Sequence, residues 1–363
     1  MTETDTTSLD LTDDVARLTA VLMDFESVSG NEKALADAVE TALRAYPHLE
    51  VSRDGDSVVA RTNLGRTERV ILAGHLDTVP LPTVPGSRGT VPSSRDGDVL
   101  YGRGATDMKG GVAVQLALAA ALTEPTRDIT YVFYDHEEVE ASLSGLGRLA
   151  VSHADWLKAD FAILLEPTNG TVEGGCNGTM RFHATTAGRA AHSARAWMGE
   201  NAIHGAAEIL VRLRDHTPAT VSVEGLDYRE SLNAVRIWGG TAGNVIPDAA
   251  TVEINYRFAP DKSVDEAEAY VRDLLAGFDL VRTDAAAGAR PGLTMPAAAS
   301  FVAAVGAEPK PKYGWTDVAR FSELGIPAVN FGPGDALLAH TDNEHVHAGA
   351  IRDCLAALRS WLA

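Results

Sequence analysis

The chain of 363 residues is 45% hydrophobic and 22% charged, which excludes a collagen-like, disordered or disulfide-stapled protein. Lys and Arg number 31 against 50 Asp and Glu, so the net charge is −19. Such a surface repels phosphate backbones and anionic lipid, arguing against nucleic acid or a membrane as a general partner while leaving room for a small anionic substrate held by local arginines.

The opening stretch MTETDTTSLDLTDD is acidic and polar and lacks the basic and apolar regions of a signal peptide. Residues 11–24 then show helical spacing, with Leu18, Val21 and Leu22 on one side, and 31–44 repeat it. Short strands are predicted at 49–52, 57–61 and 69–73, the last a continuous apolar run of the kind buried on both faces of a parallel sheet. An alanine-rich helix follows over 109–122; its longest apolar run, 112–122, falls short of the about 20 residues that span a bilayer. Apolar strands at 129–135 and 160–166, with a helix between them, complete an α/β pattern.

After Gly174-Gly175 the pattern changes. Residues 178–188 alternate like a half-exposed strand, 201–216 read as an amphipathic helix, 232–240 and 250–258 as strands, and 263–275 as a serine-capped helix before a short final strand. That order suits a small ferredoxin-like α+β unit. It ends near AAAGARPG (285–292), after which a helix near 295–305, the strand IPAVNF (326–331) and a helix over 348–362 resume the α/β pattern. At about 100–200 residues per domain, the length fits two domains, the smaller inserted in the larger: 1–177 with 288–363, and 178–287. Cys176 and Cys354 form no CxxC pair and read as reduced thiols, as expected of a cytoplasmic protein.

Ligands of open α/β sheets bind beyond the carboxyl ends of the strands. There the sequence places His75 and Asp77, then Asp135 to Glu138, then Glu166, and finally a loop holding His340, Asn343 and Glu344; Asp107 precedes the alanine-rich helix. Nitrogen and oxygen donors without cysteine suit zinc or a related divalent ion. His75, Asp107, Glu138, Glu166 and His340 are enough for two ions, with Glu137 beside Glu138 as a general base and Asp77 able to accept the second ring N–H of His75. Each motif has a plainer reading. His and Asp are common in loops, and Glu pairs open helices. GRGATDMKGG lacks the phosphate-loop pattern, with Asp107 where the third glycine of a dinucleotide loop would stand. His136, His153, His204 and His216 read as surface or core residues, and spacing does not separate His340 from His345 and His347. The joint placement at strand ends carries the metal reading.

GHLDTVP (74–80), GRGATDMKGG (102–111), the Glu137-Glu138 pair, EPT (166–168) and HTDNE (340–344) resemble the co-catalytic zinc peptidases and deacylases, which include acetylornithine deacetylase, carboxypeptidase G, aminoacylases and succinyl-diaminopimelate desuccinylase. The resemblance runs through nearly the whole chain. It implies a zinc-exopeptidase-like catalytic domain with a mostly parallel central sheet, and an inserted ferredoxin-like lid that also forms a homodimer. It assigns His75 and Glu166 to one ion, Glu138 and His340 to the other, and Asp107 as the bridge, with Zn2+ expected and Co2+ able to replace it. Glu137 becomes the proton shuttle and Asp77 orients His75. RAAHSARAWMGENAIH (189–204) resembles the segment whose histidine, His192, reaches the partner's site as an oxyanion donor, and Asn244 in GNVIPDA resembles a second residue donated across the dimer.

GTMRFHATTAGRAAHSARAW, NYRFAP and GWTDVARF look most like the desuccinylases of actinobacterial type. By that likeness Arg181 and Arg257 hold substrate carboxylates, with Thr316 and Asn343 assisting, and the substrate is N-succinyl-LL-2,6-diaminopimelate. The loop YDHEEVEASLSG departs from the commoner family pattern after its glutamate pair. Alternatives are an acetylornithine deacetylase, aminoacylase or carboxypeptidase and, in another class, a non-catalytic metal-binding protein of the same fold. No G-x-S-x-G elbow supports a serine hydrolase.

Overall fold

The computed structural model describes residues 8–363, so the first seven residues of the polar opening stretch lie outside the described residues. In chain order it contains α1 (Val15–Met23), α2 (Lys33–Arg44), β1 (Glu50–Asp54), β2 (Ser57–Arg61), β3 (Arg69–His75), β4 (Ser94–Asp96), β5 (Val99–Tyr101), α3 (Gly110–Ala121), β6 (Asp128–Tyr134), α4 (Gly145–Ser152), β7 (Phe161–Leu164) and β8 (Glu173–Gly174). There follow β9 (Gly178–Ala187), β10 (Ala191–His192), α5 (Ala202–Gly205), α6 (Ala207–Asp215), β11 (Thr220–Val223), β12 (Leu226–Arg229), β13 (Ser231–Gly239), β14 (Val245–Ile246), β15 (Ala249–Phe258), α7 (Val264–Leu274) and β16 (Asp279–Ala286). The chain closes with α8 (Pro296–Val305), β17 (Lys310–Pro311), α9 (Val318–Glu323), β18 (Ala328–Asn330), β19 (His345–His347) and α10 (Ala348–Leu362).

Two compact units result. The first comprises the described residues up to Gly174 with Gly292–Lys310 and Arg320–Ala363, the second Gly175–Pro291 and Pro311–Ala319. In the first unit an eight-stranded sheet runs β1-β2-β6-β3-β7-β18-β8-β17. Its inner strands β6, β3, β7 and β18 are mutually parallel, while β1, β2 and β8 pair antiparallel. The inner strands are apolar on both faces because both faces are covered, and β6 and β7 are buried throughout. Helix α3 is buried from Gly110 to Ala119, which is why it reads as alanine-rich and not as amphipathic. Each fully buried Val, Leu or Ile of this core stabilises the fold by about 1.5–3 kcal/mol relative to exposure.

The second unit holds a four-stranded antiparallel sheet in the order β13-β15-β9-β16. With its helices between β9 and β13 and between β15 and β16, this is the ferredoxin-like arrangement. Strict alternation builds it: Val252, Ile254, Tyr256 and Phe258 of β15 are buried, while Glu253, Asn255 and Arg257 between them face outward. The buried set packs on Ile209 and Leu213 of α6 and on Ala267 and Val271 of α7. Ser263 starts α7 with a reciprocal capping box to Glu266.

Three details differ from the sequence reading. The helix expected over 201–216 is divided at Ala206 into α5 and α6. A hairpin, β11–β12, stands where no strand was read, turned by Glu224 and Gly225, both at positive φ. Residues 311–319, expected with the larger domain, lie with the second unit, where Asn177 N–H donates to Lys312 O at 3.2 Å and Trp315 Nε1 donates to Ala287 O at 3.1 Å.

Candidate active site

In the first unit β3 ends at His75, whose side chain is 1% exposed. Its Nδ1 lies 3.0 Å from the Asp77 carbonyl oxygen. A carbonyl only accepts, so Nδ1 carries a proton, and Nε2 is the nitrogen aimed at Asp107 Oδ1 at 3.1 Å and Glu166 Oε1 at 3.9 Å, where it donates when protonated and would offer its lone pair to a cation. Glu166 arrives on the segment after β7. Helix α3 brings Asp107 to the same place by packing its first turn directly on that segment: a Cβ on Gly111 would lie 2.2 Å from Leu165 O. Gly104, at φ 80°, turns the chain ahead of Asp107, where a Cβ would meet the Thr78 methyl at 2.8 Å.

Beyond β6 the chain turns at His136, φ 57°, and presents Glu137 and Glu138. Fully buried Asp77 holds this turn. Its Oδ1 accepts from Glu137 N–H at 2.9 Å, and its Oδ2 accepts from Glu138 N–H at 3.0 Å and from Ser29 Oγ at 2.6 Å. The expectation that the Asp77 carboxylate takes the His75 ring N–H is therefore corrected: the backbone carbonyl does so, and the nearest carboxylate oxygen stands 3.6 Å away. Below the turn lies Asp135, a buried carboxylate placed at the strand end by sequence but assigned no role there. Asp135 accepts from Ser57 Oγ at 2.5 Å, Arg148 Nη2 at 2.7 Å and His136 Nδ1 at 2.8 Å.

His340, exposed and at φ 63°, closes the cluster with Nε2 at 3.0 Å from Glu138 Oε1 and 3.4 Å from Asp107 Oδ2. Its two neighbours do not join. The ring of His345 bonds Asn343 O at 2.7 Å and tilts over Tyr101, and exposed His347 precedes α10. Asn343 itself turns its Oδ1 to Arg88 N–H at 3.1 Å.

Two ligand triplets thus share one carboxylate, His75–Asp107–Glu166 and Asp107–Glu138–His340, the donor atoms of each lying within 4.8 Å of one another. Glu137 joins His75 and Glu138 in a third group at the same spacing. The electrostatics fit a site built for cations. Burial disfavours a charged His75, yet Asp107, Glu166, Asp77 and Glu137 together push its pKa well up. Hydrogen bonds with Asp107 and Glu138 push His340 up to about 10. Asp107, though buried, is held well below the usual carboxylate range by His340 and His75. A divalent cation at each triplet satisfies the same carboxylates that here attract protons to the imidazoles. Donors limited to nitrogen and oxygen, a shared carboxylate and a fixed His75 tautomer all fit two such ions.

The remaining expected residues lie in the second unit. His192 is exposed on the short ribbon of β10 and β14, its Nδ1 accepting from Ala194 N–H at 3.0 Å, so Nε2 carries the proton as an outward donor. Asn244 is next to it, its carbonyl accepting from Ser193 N–H at 2.9 Å. Arg181 of β9 and Arg257 of β15 occupy the sheet face away from the helices, and Arg257 Nε donates to Asn255 Oδ1 at 3.2 Å. Burial and the charge of Arg181 lower the Arg257 pKa. Thr316 is buried, with the Cys176 thiol 3.8 Å from its carbonyl. Both cysteines are buried and unpaired with each other, and burial pushes the Cys176 thiol up to about 11.

The model of peptidase family M20/M25/M40 matches residues 71–363. A Mycobacterium tuberculosis protein with the provisional name succinyl-diaminopimelate desuccinylase DapE is 53% identical over 357 residues, 98% of this chain and 99% of that protein. The succinyl-diaminopimelate desuccinylase of Corynebacterium glutamicum is 43% identical over 366 residues, 98% of each chain. Among solved structures, an M20 family metallo-carboxypeptidase from Sulfolobus solfataricus superimposes with a TM-score of 0.78 at 16% identity, over 96% of this chain and 98% of that one. Among the described residues, no helix is long and apolar enough to cross a membrane.

Proposed function

The chain belongs to peptidase family M20/M25/M40, hydrolases of amide bonds, and from that premise we propose that it removes succinate from N-succinyl-LL-2,6-diaminopimelate with two divalent metal ions. The observation that carries the chemistry is the pair of ligand triplets sharing Asp107 with Glu137 alongside. The substrate rests on the two near-full-length relatives and on the outward arginine pair. The product, LL-diaminopimelate, serves lysine and cell-wall precursor synthesis, and the bacterial cytoplasm is the expected place of action.

His75 and Glu166 would hold one ion, Glu138 and His340 the other, and Asp107 would serve both. Zn2+ is the proposed metal and Co2+ its substitute. Metal bound there would supply Lewis-acid polarisation of the scissile carbonyl and a more acidic attacking water. Glu137, its backbone fixed on Asp77, takes the water's proton on its carboxylate and delivers it to the leaving nitrogen. The Nε2–H of His192 donates to the carbonyl oxygen as charge develops. Arg181 and Arg257, with Thr316 and Asn343 assisting, grip substrate carboxylates through planar guanidinium forks.

We assign the second unit the roles of lid and dimerisation domain, with His192 and Asn244 acting in the partner's site. The support is an exposed strand: Val235, Ile237 and Trp238 of β13 are 54%, 48% and 43% exposed on the sheet edge. The test compares hydrolysis of N-succinyl-LL-diaminopimelate, N-acetylornithine and simple N-acyl amino acids by metal-loaded enzyme. The succinylated substrate is expected to win by orders of magnitude in kcat/KM; a wide margin for N-acetylornithine overturns the substrate assignment.

A further inference from the structure

Glu344 is one of the most buried charges in the first unit, and the mechanism above leaves it without a task. Its Oε2 accepts from Arg103 Nη1 at 2.8 Å, an ion pair whose side chains are 4% and 1% exposed. Its Oε1 accepts from the backbone N–H groups of Thr106 at 3.1 Å and Asp107 at 3.2 Å. The same Arg103 Nη1 reaches Thr341 O at 3.3 Å, the carbonyl directly after His340. The Glu344 carbonyl meanwhile accepts from Gly102 N–H at 3.2 Å.

These bonds join two turns that are remote in sequence. One carries Asp107, the carboxylate common to both triplets. The other carries His340, exposed and held at positive φ. The β5–β19 ladder, which pairs Tyr101 with His345, and the start of α3 bring the two turns near one another, but Asp107 and His340 themselves lie outside these elements, in segments that the Glu344 carboxylate and Arg103 tie together. A side chain sets its carboxylate only as accurately as its backbone is held, and the backbone N–H of Asp107 is held by Glu344. Supporting groups of this kind commonly alter metal affinity by about 10–100-fold.

We infer that the buried Arg103–Glu344 pair is a positioning clamp that sets the distance between the bridging carboxylate and His340, and so the affinity of the Asp107–Glu138–His340 position for its ion. Burying an ion pair stabilises little by itself when weighed against an apolar substitute. Its value here lies in fixing two turns to one another. The Gln variant keeps an oxygen acceptor but turns an amide donor toward either the arginine or the two N–H groups, so one arm of the clamp is lost whichever way it sits.

The inference rests on the proposed two-ion function, and the test separates the two. Stepwise Co2+ binding to metal-free protein is measured by calorimetry for wild type, Glu344→Gln, Arg103→Lys and the control Glu230→Gln. Glu230 is a buried, ion-paired carboxylate of the second unit, accepting from Lys262 Nζ at 2.7 Å and Tyr256 Oη at 3.0 Å. Wild type binding fewer than two ions overturns the proposed function itself. With two ions bound, the expected result is a tenfold or greater loss in one binding step for Glu344→Gln, a smaller loss for Arg103→Lys, and none for Glu230→Gln at a similar metal-free melting temperature. Affinities within twofold of wild type in both clamp variants overturn the clamp alone. Should Glu344→Gln unfold, Arg103→Lys, which keeps the charge, decides on the same criterion.

Discussion

Asp77→Asn separates the role found for this residue from the one its place in the sequence suggests. The wild-type carboxylate, itself fully buried, accepts from Glu137 N–H, Glu138 N–H and Ser29 Oγ. An asparagine oxygen replaces one arm, while its amide meets a second N–H donor to donor. Hydrogen bonds to a charged group contribute about 1.5–3 kcal/mol each. Losing one at the Glu138 end corresponds to about 10–150-fold in an equilibrium, at 1.4 kcal/mol per tenfold. The Asp77 backbone carbonyl remains, so His75 keeps its tautomer and its aim. Ion affinity is therefore expected to fall at the Asp107–Glu138–His340 position and to change little at His75–Asp107–Glu166. Each position is assayed by zinc or cobalt titration in the Glu166→Ala and His340→Ala backgrounds, each of which removes a ligand from only one triplet. Asp77→Ala, which removes all three arms, is expected to cost about 4.5–9 kcal/mol of stability by the same reckoning. A loss confined to the His75 position, or no loss in either background, refutes this reasoning.

Three further outcomes are expected. Asp135 has its pKa lowered because Arg148, Ser57 and His136 outweigh its burial, so its contribution to stability is present above the unfolded carboxylate value of about 3.9 and is lost as pH falls through the lower folded value. Arg148→Ala raises that folded value toward the unfolded one, so this carboxylate contributes less above about 3.9 and has less to lose to acid; the wild-type advantage in melting temperature over the variant should shrink as pH falls below about 3.9, and a constant difference contradicts the assignment. Gly111→Ala places a methyl 2.2 Å from Leu165 O, and thermal melting should show about 1–3 kcal/mol of destabilisation with weakened metal binding, as Asp107 and Glu166 are pushed apart. Arg257→Lys loses the planar fork braced by Asn255, so kcat/KM for N-succinyl-LL-diaminopimelate should fall at least tenfold, mainly through KM, with hydrolysis of an N-acyl amino acid lacking the distal carboxylate little changed.

Much of the architecture was legible because its signals are local. Apolar runs marked β3, β6 and β7, alternation marked β9 and β15, and Ser263 with Glu266 announced α7. The ligand residues were legible because strand ends in an α/β sheet converge. The missed features depend on contacts between distant segments. The small sheet of β4, β5 and β19 pairs Leu100 with Val346, for which neither segment carries a marker. Glu344 meets Asp107 across 237 residues of chain. Asp77 misled through adjacency: an aspartate two residues after a histidine suggests a carboxylate on the ring, whereas the strand end brings the carbonyl there and frees the carboxylate for the glutamate turn. The three candidate histidines of the last loop could be separated only in three dimensions or by resemblance, since all share one polar stretch.

The two-ion proposal places the general base on Glu137. The most direct measurement is metal content and turnover of Glu137→Gln on N-succinyl-LL-diaminopimelate, made on one preparation. The expected result is two ions per chain, as in wild type, with turnover reduced by about 10²–10⁴-fold. Near-wild-type turnover with both ions in place would contradict the account.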